Sequence, residues 1–264
     1  AITGSSGKTS TKEMVATIAS RARNVLKTEG NLNNRIGLPL TLLRLNRTHE
    51  LAVIEMGTNC PGEIASLTAV AEPDIGLITN IGPAHLEGLV SLEGIREEKG
   101  SLFETMAGRG QVIVNQDDPA IVLLAEPWRG KRTLFGLSEG AEVTARNIEP
   151  FGPEGTRFEL LIGGVGVPVF LHSPGKHNVM NALAAAATAW SAGFDRTAIA
   201  AGLTAFRPLP GRNEIRHLQN GVYLMIDAYN ANPSSMREAL KTLVELKGNN
   251  RAYAVLGDML ELGP

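Results

Sequence analysis

The chain has 264 residues, 43% hydrophobic and 20% charged, with a formal net charge of -2. That length and apolar content suit one large or two smaller packed domains, and the near-neutral charge without a basic block excludes nucleic acid as the main partner. One cysteine, Cys60, permits no internal disulfide and suits a reducing cytosol; no apolar run approaches membrane-spanning length.

Ala1 to Thr3 reads as the end of a strand, followed by Gly4-Ser5-Ser6-Gly7-Lys8-Thr9. A glycine-rich turn that opens a helix presents successive N–H groups and a lysine ammonium to one place, as a chain of phosphates requires. The usual phosphate-loop spacing has a glycine five residues before Gly7, where this chain has Ile2, so Gly4 supplies the early turn. In this reading Gly7 admits phosphate, Lys8 reaches the outer phosphates and the Thr9 hydroxyl faces Mg²⁺. Met14, Val15, Ile18, Ala19 and Ala22 recur at helical spacing, so the turn is expected to open an amphipathic helix.

Asn31, Asn33 and Asn34 come next; such a run either makes a tight turn or reads an adenine edge through its amides, and Pro39 marks the start of a helix. Leu51 to Ile54 and Ile75 to Ile78 are continuous apolar runs, the pattern of strands covered on both faces, with a helix from Pro61 to Ala71 between them. Gln111 to Val114 and Thr133 to Phe135 predict further strands flanking a helix from Asp118 to Ala125. The alternation predicts parallel βαβ units.

From Val143 to Leu171 shorter, glycine-containing strands suggest antiparallel pairs. Helical spacing returns over His177 to Ala192 and Thr197 to Leu203, and Arg207-Pro208-Leu209-Pro210-Gly211 breaks it. Strands at Glu214 to His217 and Val222 to Ile226, a helix capped by Asn232 with Pro233 at its first position, and a strand from Ala252 to Leu256 read as the opening of a second α/β domain. The expected division is residues 1–208 and 209–264. Residue 1 falls inside a strand and the chain stops just past another, which predicts further native sequence at both ends.

Ligands of open α/β sheets sit outside the carboxyl ends of the strands. Glu55 follows one apolar run, and Asn80 and His85 follow another, so all three fall on the edge that carries Lys8 and Thr9. A carboxylate there needs a cation or donors, which Mg²⁺ or a structural ion pair would supply. A lone loop histidine such as His85 is more often structural than a ligand, Lys99 alone reads as a solvated helical lysine, and the Gly175 to Asn181 cluster either makes a turn at a helix start or reads an adenine edge.

Taken in order, Thr3 to Thr9, Glu55, Ala84-His85-Leu86-Glu87-Gly88, Lys176-His177-Asn178 and Pro210-Gly211-Arg212 resemble the Mur ligases, ATP-dependent amide-forming enzymes of peptidoglycan precursor synthesis. The resemblance covers essentially the whole chain. It implies a phosphate-loop, mostly parallel sheet flanked by helices, with a small antiparallel element, then the start of a second Rossmann-like domain; an amino-terminal UDP-binding domain is expected to be absent. The segments Asn33 to Leu43, Glu55 to Ile64, Asp227 to Pro233 and Gly257 to Gly263 are similar to those of members that join D-alanyl-D-alanine to UDP-N-acetylmuramoyl-tripeptide through an acyl phosphate. Related amide ligases acting on folate or amino-acid polymers, and a non-catalytic ATP-binding module, are the alternatives.

The resemblance assigns Thr9, Glu55, His85 and Lys99, the last as a carbamate, to Mg²⁺. Asn178 or Asn181, with the Asn33 and Asn34 region, go to the adenine side, while Arg212 and Asp227 approach ATP from the domain junction. Carbamylation needs the neutral amine, scarce for an ordinary lysine of pKa about 10.4, so the site must depress that value. A monomeric cytoplasmic enzyme, with no nucleic acid or membrane insertion, is the accompanying expectation.

Overall fold

The computed structural model describes residues 1–260 and 262, so Glu261 and Gly263 of the terminal motif, and Pro264, lie outside the described residues. The chain runs β1 (Ile2–Thr3), α1 (Lys8–Ala19), β2 (Val25–Lys27), α2 (Gly37–Leu42), β3 (Leu51–Val53), α3 (Glu63–Ala71), β4 (Ile75–Ile78), α4 (Leu86–Leu89) and α5 (Leu92–Met106). It continues through β5 (Gln111–Asn115), α6 (Pro119–Ala125), β6 (Lys131–Phe135), β7 (Val143–Pro150), β8 (Thr156–Ile162), β9 (Val165–Leu171), α7 (Lys176–Ser191) and α8 (Arg196–Ala205). The last elements are β10 (Glu214–His217), β11 (Tyr223–Ile226) and α9 (Pro233–Lys247).

The main sheet has the order β1-β4-β5-β6-β7-β8-β9, parallel as far as β7 and antiparallel from β7 to β9. The parallel pair β2 and β3 extends it on the other side: Ile2 donates its N–H to Ile54 O at 2.8 Å, and Met56 donates to Ile2 O at 2.8 Å. β1, β3, β4 and β5 therefore point their carboxyl ends to one edge. The mixed sheet agrees with the predicted class, the antiparallel element being the β7–β9 meander.

Two apolar layers cover the sheet. On one side Met14, Val15 and Ile18 of α1, the alanine run of α7 and Ile199 and Leu203 of α8 bury against Leu77, Ile113 and Phe135. Ala184 to Ala187 lack bulk, which lets α7 pack closely against its neighbours. On the other side Ile64 and Leu67 of α3, Leu102, Phe103 and Met106 of α5 and Ile121 of α6 pack on Ile78, Val112 and Val114. Each large apolar side chain so covered contributes about 2 kcal/mol, and the double covering explains the continuous apolar runs of the strands.

Several expected boundaries move. Ala22 is exposed in the turn after α1, because a methyl group gives little reason to prolong the helix where the chain turns into β2. Pro61 precedes α3, whose first amides belong to Gly62 at φ 82° and Glu63. Pro39 lies inside α2, which starts at Gly37 under the Asn34 side chain: Asn34 Oδ1 accepts from Ile36 N and Gly37 N at 3.1 and 2.9 Å. The strand expected at Ala252 to Leu256 is absent. Tyr253 and Val255 are 81% and 97% exposed there, and no neighbouring strand pairs with the segment among the described residues; an unpaired, uncovered strand gains neither hydrogen bonds nor burial. By contrast, α9 has its expected cap: Asn232 Oδ1 accepts from Ser235 N, and Ser235 Oγ accepts from Asn232 N.

Candidate functional site

The turn between β1 and α1 is tied to the end of β4. Ser5 N donates to Asn80 O and Ser6 N to Asn80 Oδ1, both at 3.0 Å; Asn80 Nδ2 and Thr79 Oγ1 donate to Ser6 O at 3.0 and 2.6 Å. Ser5 Oγ bonds Gly82 O at 2.7 Å, and Asn115 Nδ2, at the end of β5, donates to Thr79 O at 2.9 Å. Three strand ends thus fix the loop. Gly7, at φ 79°, has no room for a side chain, since a Cβ would lie 2.2 Å from Asn181 Oδ1.

Lys8 Nζ donates to Gly4 O at 2.6 Å. Burial lowers its pKa, Glu55 opposes the shift, and the Arg212 guanidinium adds to it. Thr9 and Glu55 are buried and, with Lys8 and His85, line one cavity of about 1000 Å³. His85 heads α4 in the left-handed conformation, φ 53°, which is uncommon for a residue with a side chain.

Glu55 is 2% exposed. Its Oε1 accepts from Asn33 Nδ2 at 2.8 Å, while Oε2 is buried and has no hydrogen-bond partner among the described residues. A buried carboxylate oxygen left in that state is costly, and a divalent cation satisfies it. Among the described residues no group of three or more His, Cys, Asp or Glu side chains could hold a metal alone. The donor set of Glu55, His85 and the Thr9 hydroxyl fits Mg²⁺ only where phosphate or carbamate oxygens join them.

Lys99 is buried in α5, 1% exposed, not on a solvated face as its sequence neighbours suggest. Burial, reinforced by Lys8 and opposed by Glu98, brings its pKa to about 7. The neutral amine that carbamylation requires is therefore abundant at neutral pH. Glu98 beside it accepts from Thr58 Oγ1, Gly62 N and Ile64 N at 2.9, 2.6 and 2.8 Å, fastening α5 to the first turn of α3.

Against the loop at Gly7 lies the start of α7, where Asn178 Nδ2 donates to Pro174 O at 2.8 Å and Asn181 Nδ2 donates to Asn178 Oδ1 at 3.4 Å. Asn33 and Asn34 line the same cavity, Asn33 donating to Glu55 and Asn34 capping α2. Arg212 stacks over the Tyr229 ring at 3.9 Å, and Asp227 Oδ1 accepts from Asn213 N at 3.2 Å. Burial raises the pKa of Asp227, against the opposing hydrogen bond from Asn213 and the charge of Arg212. Both residues face the cavity, as does Asn232, whose Nδ2 donates to Ser5 O at 3.3 Å.

Sequence reasoning missed Lys12, Thr28 and Asp117, and gave His177 no role beyond its motif. Asp117 accepts from Leu137 N and Ser138 N at 2.7 and 2.9 Å, which shapes the loop after β6. His177 pairs through Nε2 with Asn213 at 3.0 Å. Lys12 was legible in principle, one helical turn beyond Lys8 on the same face.

A model described as the Mur ligase middle domain matches residues 2–189, and one described as the Mur ligase, glutamate ligase domain matches residues 211–264. The UDP-N-acetylmuramoyl-tripeptide--D-alanyl-D-alanine ligase of Escherichia coli (strain K12) is 43% identical over 269 residues, covering 100% of this chain and 58% of that protein. A crystal structure of MurF from Acinetobacter baumannii superposes with TM-score 0.93 at 37% identity, over 99% of this chain and 57% of that one. MurF ligase from Thermotoga maritima in complex with ADP gives 0.89 at 30% identity, over 99% and 60%. The chain thus spans less than two thirds of the length of these relatives.

Proposed function

The chain belongs to the Mur ligase family, and from that premise we propose that it is the ATP-handling part of an enzyme joining D-alanyl-D-alanine to UDP-N-acetylmuramoyl-tripeptide in peptidoglycan precursor synthesis. The observation that carries this reading is the convergence of the Gly4–Thr9 loop, Glu55 with its unsatisfied oxygen, His85 and Arg212 on one cavity. We take residues 1–208 as the central domain and 209–264 as part of the following one. The enzyme works as a cytoplasmic monomer; among the described residues no helix is long and apolar enough to cross a membrane.

An amine does not displace oxide from a carboxylate at neutral pH. The tripeptide carboxylate therefore attacks the γ-phosphorus of ATP, ADP departs, and the resulting acyl phosphate is opened by the dipeptide amine with loss of phosphate and a proton. Backbone N–H groups of Ser5 to Thr9 and the Lys8 ammonium hold the phosphates and offset charge on the transferring group. Thr9, Glu55, His85 and a carbamate on Lys99 would hold the Mg²⁺ ions, which would supply further charge neutralisation. Arg212 and Asp227 approach the nucleotide from the second domain, and Asn178 or Asn181 the base.

The test is the full-length enzyme with ATP, Mg²⁺, UDP-N-acetylmuramoyl-tripeptide and D-alanyl-D-alanine, with the product weighed by mass spectrometry. A product equal to the two substrates less one water, lost in Lys8→Ala, is expected. Phosphate release driven by single amino acids instead of the dipeptide would assign a different amide ligase. Nucleotide binding with no amine-dependent product would leave only a binding module.

A further inference from the structure

Lys12 is the largest fully buried side chain that the chemistry above leaves unused, 1% exposed one turn along α1 from Lys8. An ammonium is rarely enclosed without partners, because removing it from water costs several kcal/mol. Its partners are Thr28 O at 2.7 Å and Glu13 Oε1 at 2.9 Å. Glu13 in turn pairs with Lys27, which is 40% exposed.

The nearest oxygen of Glu55, the orphaned Oε2, is 4.0 Å from Lys12 Nζ. That is beyond hydrogen-bond reach, so the lysine leaves this oxygen's lone pairs uncommitted. The connection to Glu55 runs instead through Thr28. Its carbonyl accepts a hydrogen bond from Lys12 Nζ, and its hydroxyl accepts from the backbone N–H of Glu55 at 2.9 Å. Thr28 is wholly buried just past β2, where its own N–H bonds Val53 O at 3.1 Å. One residue thus receives α1 on one side and the end of β3 on the other.

We propose that Lys12 is a positioning residue: through Thr28 it fixes the backbone at Glu55, so that the free carboxylate oxygen is presented beside Thr9 and Lys8, which the same helix carries. Lys12 is ion-paired with Glu55 at 4.0 Å and so offsets its charge, but its hydrogen bond goes to the Thr28 carbonyl and not to the carboxylate. Groups that orient a metal ligand without touching the metal commonly change affinity by about 10- to 100-fold. The inference rests on the reading of Glu55 as a Mg²⁺ ligand, and the experiment separates the two.

The full-length enzyme and its Lys12→Met, Thr28→Val, Lys27→Met and Glu55→Gln variants are titrated with ADP by calorimetry, first in EDTA and then across a Mg²⁺ series. Lys12→Met and Thr28→Val are expected to bind ADP in EDTA as the parent does, but to need about 10-fold more Mg²⁺ for the metal-dependent gain in affinity. The double variant should add little to either single one, since both cut the same connection. Lys27→Met, which relieves Glu13 alone, should leave the Mg²⁺ dependence unchanged. If Lys12→Met does not fold, Thr28→Val decides, because it keeps Lys12 on Glu13 and on the Thr28 carbonyl. Unchanged Mg²⁺ dependence in Thr28→Val, with the dependence lost in Glu55→Gln, overturns the role of Lys12 and leaves the metal reading standing. Unchanged dependence in Glu55→Gln overturns both.

Discussion

Lys99 shows how far a single residue can depart from what its neighbours in sequence suggest. It follows Glu97 and Glu98, an arrangement that reads as a solvated helical face, yet it is 1% exposed with a pKa of about 7. Between that value and the ordinary value of 10.5 the unfolded chain binds a proton that the folded chain does not, so stability rises with pH across this window. Below about pH 7 both states are protonated and the full cost of the buried charge is present. Lys99→Met should therefore melt higher than the parent at pH 7 in metal-free, bicarbonate-free buffer, with the difference shrinking toward pH 10. Thermal unfolding at a series of pH values measures this, and a constant difference would remove the buried-charge account. Added bicarbonate should raise the parent's melting temperature and not the variant's, and intact mass under mild conditions should show the increment of one CO₂ on the parent alone.

The same helix explains which elements could be read from the chain and which could not. Strands with an unbroken apolar run, such as Ile75–Ile78, and helices with a local cap, such as Pro233–Lys247 under Asn232, carry their signal within a few residues. Glu55, Lys8 and Thr9 were legible as one site for a similar reason, because parallel strands must end on a common edge. Helix α5 hides its signal: Ile95, Leu102, Phe103 and Met106 mark a core face, but the polar run Arg96 to Lys99 interrupts it, and Glu98, Lys99 and Gly100 are all buried because helices pack on two sides. Burial of this kind is set by partners distant in sequence. The missing strand at residues 252–256 is the converse case, an apolar run that finds no partner strand among the described residues. Glu98 is where α5 depends most on such contacts, since Thr58, Gly62 and Ile64 all donate to its carboxylate. Glu98→Ala should destabilise the protein by about 3 kcal/mol, the cost of three orphaned donors and a lost charge-assisted group. A denaturant midpoint within a few tenths of a kcal/mol of the parent would contradict this; Glu98→Gln should fall between, as an amide retains one acceptor oxygen.

At the scale of the molecule, the segment from Arg212 onward closes over the phosphate loop through few contacts, and each has identifiable chemistry. Asn232 Nδ2 reaches Ser5 O, His177 meets Asn213, and Thr242 of α9 lies buried against the start of α7. Gly175 is the pivot of the last contact. Its φ of 93° is a conformation that L side chains rarely adopt, and a Cβ there would come within 2.5 Å of Thr242 Oγ1 and 2.8 Å of His177 Cε1. Gly175→Ala therefore strains the backbone by about 1 kcal/mol and also pushes α9 away from α7. The second effect reaches the site, because α9 begins at the Asn232 that bonds the loop, and Arg212 and Asp227 approach the cavity from the same side. The expected result in the full-length enzyme is a several-fold rise in KM for ATP, as about 1.4 kcal/mol of lost closure corresponds to a factor of ten. The affinity for the peptide-bearing substrate in the absence of nucleotide should be unaltered. Equal weakening toward both substrates would indicate general damage to α7 instead, and an unaltered KM for ATP would mean that nucleotide binding does not depend on docking of the second domain.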